Sequence, residues 1–288
     1  MLFRSKTDVD SKAIGKCTTI GWSGCIVRLH IALFTSELCK REAETKFAPV
    51  YLPGDRISYV ARTGTNAEGL KMFYPDRKVV PIVNGPVRHS TWTADASRVI
   101  YDRMLSPGSQ QRMVPTFSRD PDFELFLNEP FPSFSPDGKK LVYSAQADNG
   151  LNPTNTSIEV MNVDGTGVTT LFKKEGFSAF NAVWSPQGDR IALSVGRYFR
   201  PPGGPAAPIA IINADGSGYK DVVDDGVNNG FPSWSPDGKK IVFKHGKQLM
   251  ILTVADGKLT PLTDGSHYDN FPQWSPKGEL IMFTSDRV

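Results

Sequence analysis

This sequence predicts an all-β fold, a β-propeller of four-stranded antiparallel blades with about six blade positions. Four near-copies of one phrase lead to that reading: FPSFSPDGKKLVYSA from Phe131, NAVWSPQGDRIALSV from Asn181, FPSWSPDGKKIVFKH from Phe231 and FPQWSPKGELIMFTS from Phe271. Repetition at such a period marks stacked copies of one supersecondary unit. The second observation is turn chemistry between short β-branched and aromatic runs.

The copy at Phe231 shows the order of elements. FPSW forms a short strand. Ser235-Pro236-Asp237-Gly238 turns the chain, because proline presets φ, aspartate bonds its own backbone and glycine accepts positive φ. Ile241-Val242-Phe243 lies in a second strand, and His245-Gly246-Lys247 makes the next turn. Leu249-Met250-Ile251-Leu252 forms a third. Ala255-Asp256-Gly257 is a hairpin turn. Leu259-Thr260-Pro261-Leu262 is a fourth, and its proline suits an edge strand. The same order recurs as IEVMNVDGTG from Ile158 and IAIINADGSG from Ile209. Radial repetition of such units protects sheet edges.

The aromatic anchors are Phe134, Trp184, Trp234 and Trp274. Trp92 anchors a weaker copy, and Val50 aligns with the anchor in a sixth, VYLPGDRISYV. The intervals from Val50 onward are 42, 42, 50, 50 and 40 residues. A residue that recurs beside every turn packs blades together, so the tryptophans are expected to be structural. After Asp286 the pattern calls for two more strands. Either the N-terminal segment completes the last blade, or the chain is a fragment of a longer protein.

The pattern (F/N)-P-x-W-S-P-D-G-K-K-I-x-F followed by I-x-x-M-x-x-D-G resembles the TolB-like propeller repeat, a relative of the WD repeat. It covers roughly Val50 to Val288. The resemblance implies the fold and leaves function open, since propellers host many unrelated sites. Relatives include the non-catalytic domains of prolyl-oligopeptidase-type enzymes. TolB itself lends the family a periplasmic or exported association.

Two regions follow: an N-terminal extension over 1–48 and the propeller over 49–288. All three cysteines (Cys17, Cys25, Cys39) lie in the first, and all 22 prolines in the second. The extension holds eight Lys/Arg and five Asp/Glu, so the formal +3 sits there and the propeller is neutral. A neutral propeller argues against nucleic-acid binding, which needs a basic stripe. The extension reads first as irregular. Its alternative is a strand from Cys25 through Leu33 that joins the ring. Ser36 to Lys46 suits a short helix capped by Ser36.

Ile20 to Phe34 is interrupted by Arg28 and His30. It lacks the unbroken apolar run of a secretory signal and is too short and charged to span a membrane. The cellular compartment is left open. Three cysteines without paired spacing make no disulfide framework and no metal motif. Asn155-Thr156-Ser157 is a glycosylation sequon, relevant only on a secretory route.

No catalytic motif is legible. Gly21-Trp22-Ser23-Gly24 lacks the spacing of a nucleophile elbow, and the Asp-Gly-rich pieces at Asp164 and Asp215 open no helix, so they are turns. No cofactor and no metal is expected. One TolB-like lineage, the oligogalacturonate lyases, holds a metal with several histidines. Here His89 and His267 precede first strands but His245 does not.

Function is expected where the copies differ. The loops leading into the first strands carry His89, Glu129, Asn181, Asn229 and Asp269. They mark one mouth of the channel as a ligand or partner surface. Two longer loops, Asp148 to Thr156 and Arg197 to Pro208, lie in successive blades. In the second, Tyr198 and Phe199 offer apolar area while Arg197 and Arg200 offer directional donors. The leading reading is a non-catalytic binding or scaffolding propeller for a protein or peptide, its oligomeric state unread. The alternatives are an accessory propeller of a prolyl-oligopeptidase-type hydrolase and a metal-dependent carbohydrate lyase.

Overall fold

The structure, a computed structural model, describes residues 25–30, 34–35, 45–63, 66–85, 87–104, 113–117, 132–146, 156–196 and 206–286. Among these residues there is no helix, and so none long and apolar enough to cross a membrane. Every strand pairs antiparallel, in five four-stranded sheets and one of three.

Strands β1 (Cys25–His30) and β2 (Phe34–Thr35) come first in the chain but complete the last blade. Blade 1 is β3 (Thr45–Leu52), β4 (Arg56–Thr63), β5 (Asn66–Phe73) and β6 (Val79–Asn84). Blade 2 contributes β7 (Val87–Trp92), β8 (Val99–Met104) and β9 (Met113–Phe117). Blade 3 is β10 (Ser133–Phe134), β11 (Lys140–Gln146), β12 (Thr156–Asn162) and β13 (Thr169–Phe172). Blade 4 is β14 (Ser178–Trp184), β15 (Arg190–Gly196), β16 (Ile209–Asn213) and β17 (Lys220–Val223). Blade 5 is β18 (Asn229–Trp234), β19 (Lys240–His245), β20 (Gln248–Thr253) and β21 (Leu259–Pro261). Blade 6 orders as β2-β1-β23-β22, with β22 (Asp269–Trp274) and β23 (Leu280–Ser285).

The N-terminal segment therefore supplies two strands of the ring. Cys25 pairs with Ser285 and the register runs unbroken to His30 opposite Leu280. Of the two readings of this segment, the strand describes Cys25–His30. The helix expected over Ser36 to Lys46 lies outside the described residues except at its end, where Thr45 and Lys46 open β3.

The first turns of blades 2, 3 and 5 are closed the same way. In blade 5 the Ser235 hydroxyl donates to Asp237 Oδ1 at 2.6 Å and accepts from Lys240 N at 2.9 Å. Asp237 Oδ1 also accepts from Lys239 N at 3.0 Å. Ser135 with Asp137 and Thr93 with Asp95 repeat the arrangement. These bonds from hydroxyl and backbone donors hold the Asp95 carboxyl down at about 2. Blade 6 has Lys277 where the aspartate would stand, yet Leu280 N still donates to Ser275 Oγ at 3.0 Å. Gly238 is required by its φ of 68°, and the amide end of Gln187 from the preceding blade's turn lies against it.

The core lies within and between blades. Trp234 is 7% exposed and packs with Ile209 and Ile211 of blade 4 and Phe243 and Met250 of blade 5. The Arg190 guanidinium lies over its ring at 5.0 Å. Trp92, Phe134 and Trp274 are also buried, and Trp184 is half-buried.

One anchor needs correction. In blade 1 the residue opposite Ile57 is Tyr51, as Trp234 is opposite Ile241 and Trp274 opposite Ile281. Val50 lies one position earlier. The blade 1 turn is a residue shorter, which displaces an alignment built on the turn.

Candidate functional site

Antiparallel order sends each blade's variable parts to one end. Asn229 at the start of β18 pairs with His245 at the end of β19, and His245 pairs with Gln248 at the start of β20. The turn between second and third strands therefore shares a face with the loop leading into the first strand. The stretches 147–155 and 197–205 connect at this end, while the Ser-Pro-Asp-Gly turns sit at the other.

The inner strands surround a cavity of about 420 Å³. Its wall is built from the same register positions in successive blades. The third residue before the anchor is Ala48, Asn181, Phe231 or Phe271, with φ of 42°, 56°, 51° and 51°. A β-bulge at each of these points explains the left-handed backbone and turns the residue inward. Asparagine tolerates that conformation and phenylalanine resists it. Phe231 and Phe271 meet with ring centroids 4.4 Å apart, tilted at 51°.

One layer deeper, the residue before the anchor bridges to the next blade. Ser233 Oγ accepts a hydrogen bond from Trp274 N at 3.3 Å, and Gln273 Oε1 accepts one from Tyr51 N at 2.9 Å. These bonds tie the wall of blades 5, 6 and 1 together.

The expected site residues fall into two columns of the repeat. His89 and Asn181 stand three residues before the anchor; Glu129, Asn229 and Asp269 stand five before it. Asn181 lies in β14 and lines the cavity. His89 lies in β7. Asn229 and Asp269 open β18 and β22 and are fully buried, so they stand in the strands rather than in the loops leading to them. Asn229 Nδ2 donates to Asp225 Oδ1 at 3.1 Å and to Val227 O at 3.2 Å. Asp269 Oδ1 accepts from the buried Ser285 hydroxyl at 2.7 Å. Asn229 thus serves the loop before blade 5 from below, while Asp269 joins β22 to β23.

Glu129, Arg197, Tyr198, Phe199 and Arg200 lie outside the described residues. The far end of the 197–208 stretch is described and is stitched to blade 5. Ala207 is buried, its N–H donates to Val227 O at 3.0 Å, and its carbonyl accepts from Asn229 N at 3.1 Å.

Above this layer the loops are clipped by His–Asp contacts. His245 Nε2 lies 2.8 Å from Asp225 Oδ2, and Gln248 Nε2 lies 3.3 Å from His245 Nδ1. Burial pushes the Asp225 carboxyl up, but bonds from Asn229, His245 and Val227 N outweigh it and hold the group below the usual carboxylate range. In the next blade His267 Nδ1 lies 3.3 Å from Asp286 Oδ1, which also accepts from Tyr268 N at 2.9 Å. Tyr268 is 49% exposed, with Lys247 Nζ 4.7 Å from its ring centroid. Beside them, burial lowers the Lys244 ammonium. Among the described residues no group of three or more His, Cys, Asp or Glu side chains comes together as metal ligands would.

Sequence reasoning missed Phe231 and Phe271, which read as ordinary strand residues. The signal was the column itself: phenylalanine recurs before proline where Asn181 and His89 stand in other copies. The Asp225–His245 pair carried no signal, since 20 residues separate its members.

Comparisons with known proteins agree with this geometry. No curated protein sequence matches the chain. A putative TolB from Agrobacterium tumefaciens superposes with a TM-score of 0.68 at 18% identity, covering 92% of this chain and 99% of that one. TolB from Acinetobacter baumannii gives 0.61 at 21% identity, covering 83% of this chain and 65% of its own. An oligogalacturonate lyase in complex with manganese gives 0.57 at 12% identity, with coverages of 85% and 78%. Residues 54–288 match the family described as the TolB beta propeller domain, and the chain belongs to that family.

Proposed function

We propose that this chain is a non-catalytic recognition module that binds a protein or peptide on the face where its inner strands begin. The observation that carries the reading is the separation of the two faces. Repeated turns, three of them closed by the same Ser/Thr–Asp bonds, occupy one face. The exposed Tyr268 and the Asp225–His245 pair lie toward the other, and Asn181 and the Phe231–Phe271 pair line the channel between the two. Loops carried by a rigid scaffold vary without cost to the fold. An exposed aromatic ring, Tyr268, and two half-buried ones in a concave centre, Phe231 and Phe271, suit a contact hot spot. The 197–208 stretch, with Tyr198, Phe199, Arg197 and Arg200, is proposed as the rim of this surface. Asn229 anchors the loop before blade 5 and Asp269 clips β22 to β23, and His89 and Glu129 are assigned to the same side from their place in the repeat.

The test is parallel affinity capture with mass spectrometry. Wild type, a Phe231→Ser/Phe271→Ser variant, a variant with residues 198–204 replaced by glycine and serine, and an opposite-face control, Lys239→Ala/Lys258→Ala, serve as baits. Partners held by wild type and the control but lost from either of the first two variants support the reading. Partners retained equally by all four baits overturn it.

A further inference from the structure

We propose that the β23 edge is an exchangeable interface, and that a second copy of this chain supplies the strand that covers it. In this arrangement two rings trade their Cys25–His30 segments, and each completes the other's last blade.

The argument begins with edges. The outer strands of blades 1, 4 and 5 are blunted. Pro81 interrupts β6, Lys220 and Asp221 stand on β17, and Pro261 ends β21. Proline and charge discourage pairing with another chain. Strand β23 has neither: Leu280–Ser285 reads LIMFTS, and Ile281, Met282 and Phe283 are fully buried. It has an interior strand's composition and requires a partner on its outer side.

That partner is β1, and it is remote in sequence. All six residues of β1 pair with all six of β23 in unbroken register. Main-chain pairing of this kind depends little on which molecule donates the strand. Among the described residues only β2 sits outside β1, paired through Arg28 with Thr35 and Leu29 with Phe34. Nine residues separate Thr35 from Thr45, where β3 starts. A chain of that length reaches about 30 Å when extended. The strap can therefore reach a neighbouring ring as well as its own. Reciprocal exchange gives a closed two-fold dimer in which both β23 edges are paired.

The experiment uses the full chain in two isotopic and two affinity-tagged forms, with Cys17 and Cys39 replaced by serine. Ser285→Cys places a thiol at the Cα partner of Cys25. After the two forms are mixed, concentrated and oxidised, mass spectrometry is expected to find disulfides between Cys25 and the thiol introduced at position 285 that join one isotope to the other. The chain without the substitution at 285 is expected to yield dimers carrying both tags, in proportion rising with concentration. Val27→Pro/Arg28→Pro removes the pairing amide, since one of two successive residues faces β23, and is expected to reduce mixed-tag dimers to background. Links confined to single isotopes at every concentration overturn the proposal. So do mixed-tag dimers that persist in the proline variant. Capture of an added peptide of sequence CIVRLH, with no exchange between full chains, would also overturn it and assign the edge to extended peptides instead.

Discussion

Gln273 Oε1 accepts a hydrogen bond from the backbone N–H of Tyr51 at 2.9 Å, although 222 residues separate them in the chain. The bond joins the inner strand of blade 6 to that of blade 1, where the ring must close. Ser233 makes the equivalent link between blades 5 and 6, bonding Trp274 N at 3.3 Å. Removing the acceptor leaves a partly buried N–H to find a weaker partner. Gln273→Ala is expected to cost about 1–2 kcal/mol, read as a lower urea midpoint. An unchanged midpoint would show that ring closure does not depend on this bond.

Trp234 joins blades 4 and 5 through Ile209, Ile211, Phe243 and Met250, and its Nε1 donates to Val183 O at 3.3 Å. Trp234→Ala should therefore destabilise by about 3–5 kcal/mol, as large aromatic truncations in cores do. Chemical denaturation measures it. A loss below about 0.5 kcal/mol, the size typical of surface changes, would remove the tryptophan from the structural core.

Asn181 sits at a φ of 56° on the cavity wall. A β-branched side chain there is strained, whereas glycine is not. Asn181→Val is expected to cost about 1–2 kcal/mol more than Asn181→Gly. Equal unfolding midpoints for the two variants would mean that the bulge relaxes without effort.

The Asp225 carboxyl is held below its usual range by bonds from Asn229, His245 and Val227 N, acting against burial. A lowered folded-state value means the contribution is fully present above the unfolded carboxylate value of about 4. It fades as pH falls through the lower folded value. Asp225→Asn should therefore be less stable than wild type at pH 7, with the gap closing toward pH 3. Parallel urea titrations across that range check it, and a gap that widened on acidification would contradict the assignment.

The register of the repeats was legible in the residues because each unit carries its own turn. Ser235, Asp237 and Gly238 close a local structure that needs nothing from the rest of the chain, and Ile241 through Phe243 form the short apolar run of a strand buried on both faces. The shift from Val50 to Tyr51 was not legible, because blade 1 lacks one turn residue and only its pairing with Ile57 sets the column. The channel wall was half visible. Asn181 stood out against the phenylalanines, but the inward turn of Phe231 and Phe271 comes from bulges, and these depend on the partner strand.

By itself the sequence determined the unit: four strands, their turns and the column of aromatic anchors, all set by interactions within about forty residues. Only the tertiary structure decided what joins across the ring. It placed Cys25–His30 beside Leu280–Ser285, set Gln273 against Tyr51, buried Asn229 and Asp269, and brought His245 to Asp225. The reason is physical. Turn chemistry and strand periodicity act between near neighbours and leave a local trace. Pairing across the ring is chosen by which edges and polar groups remain unsatisfied once the blades have formed.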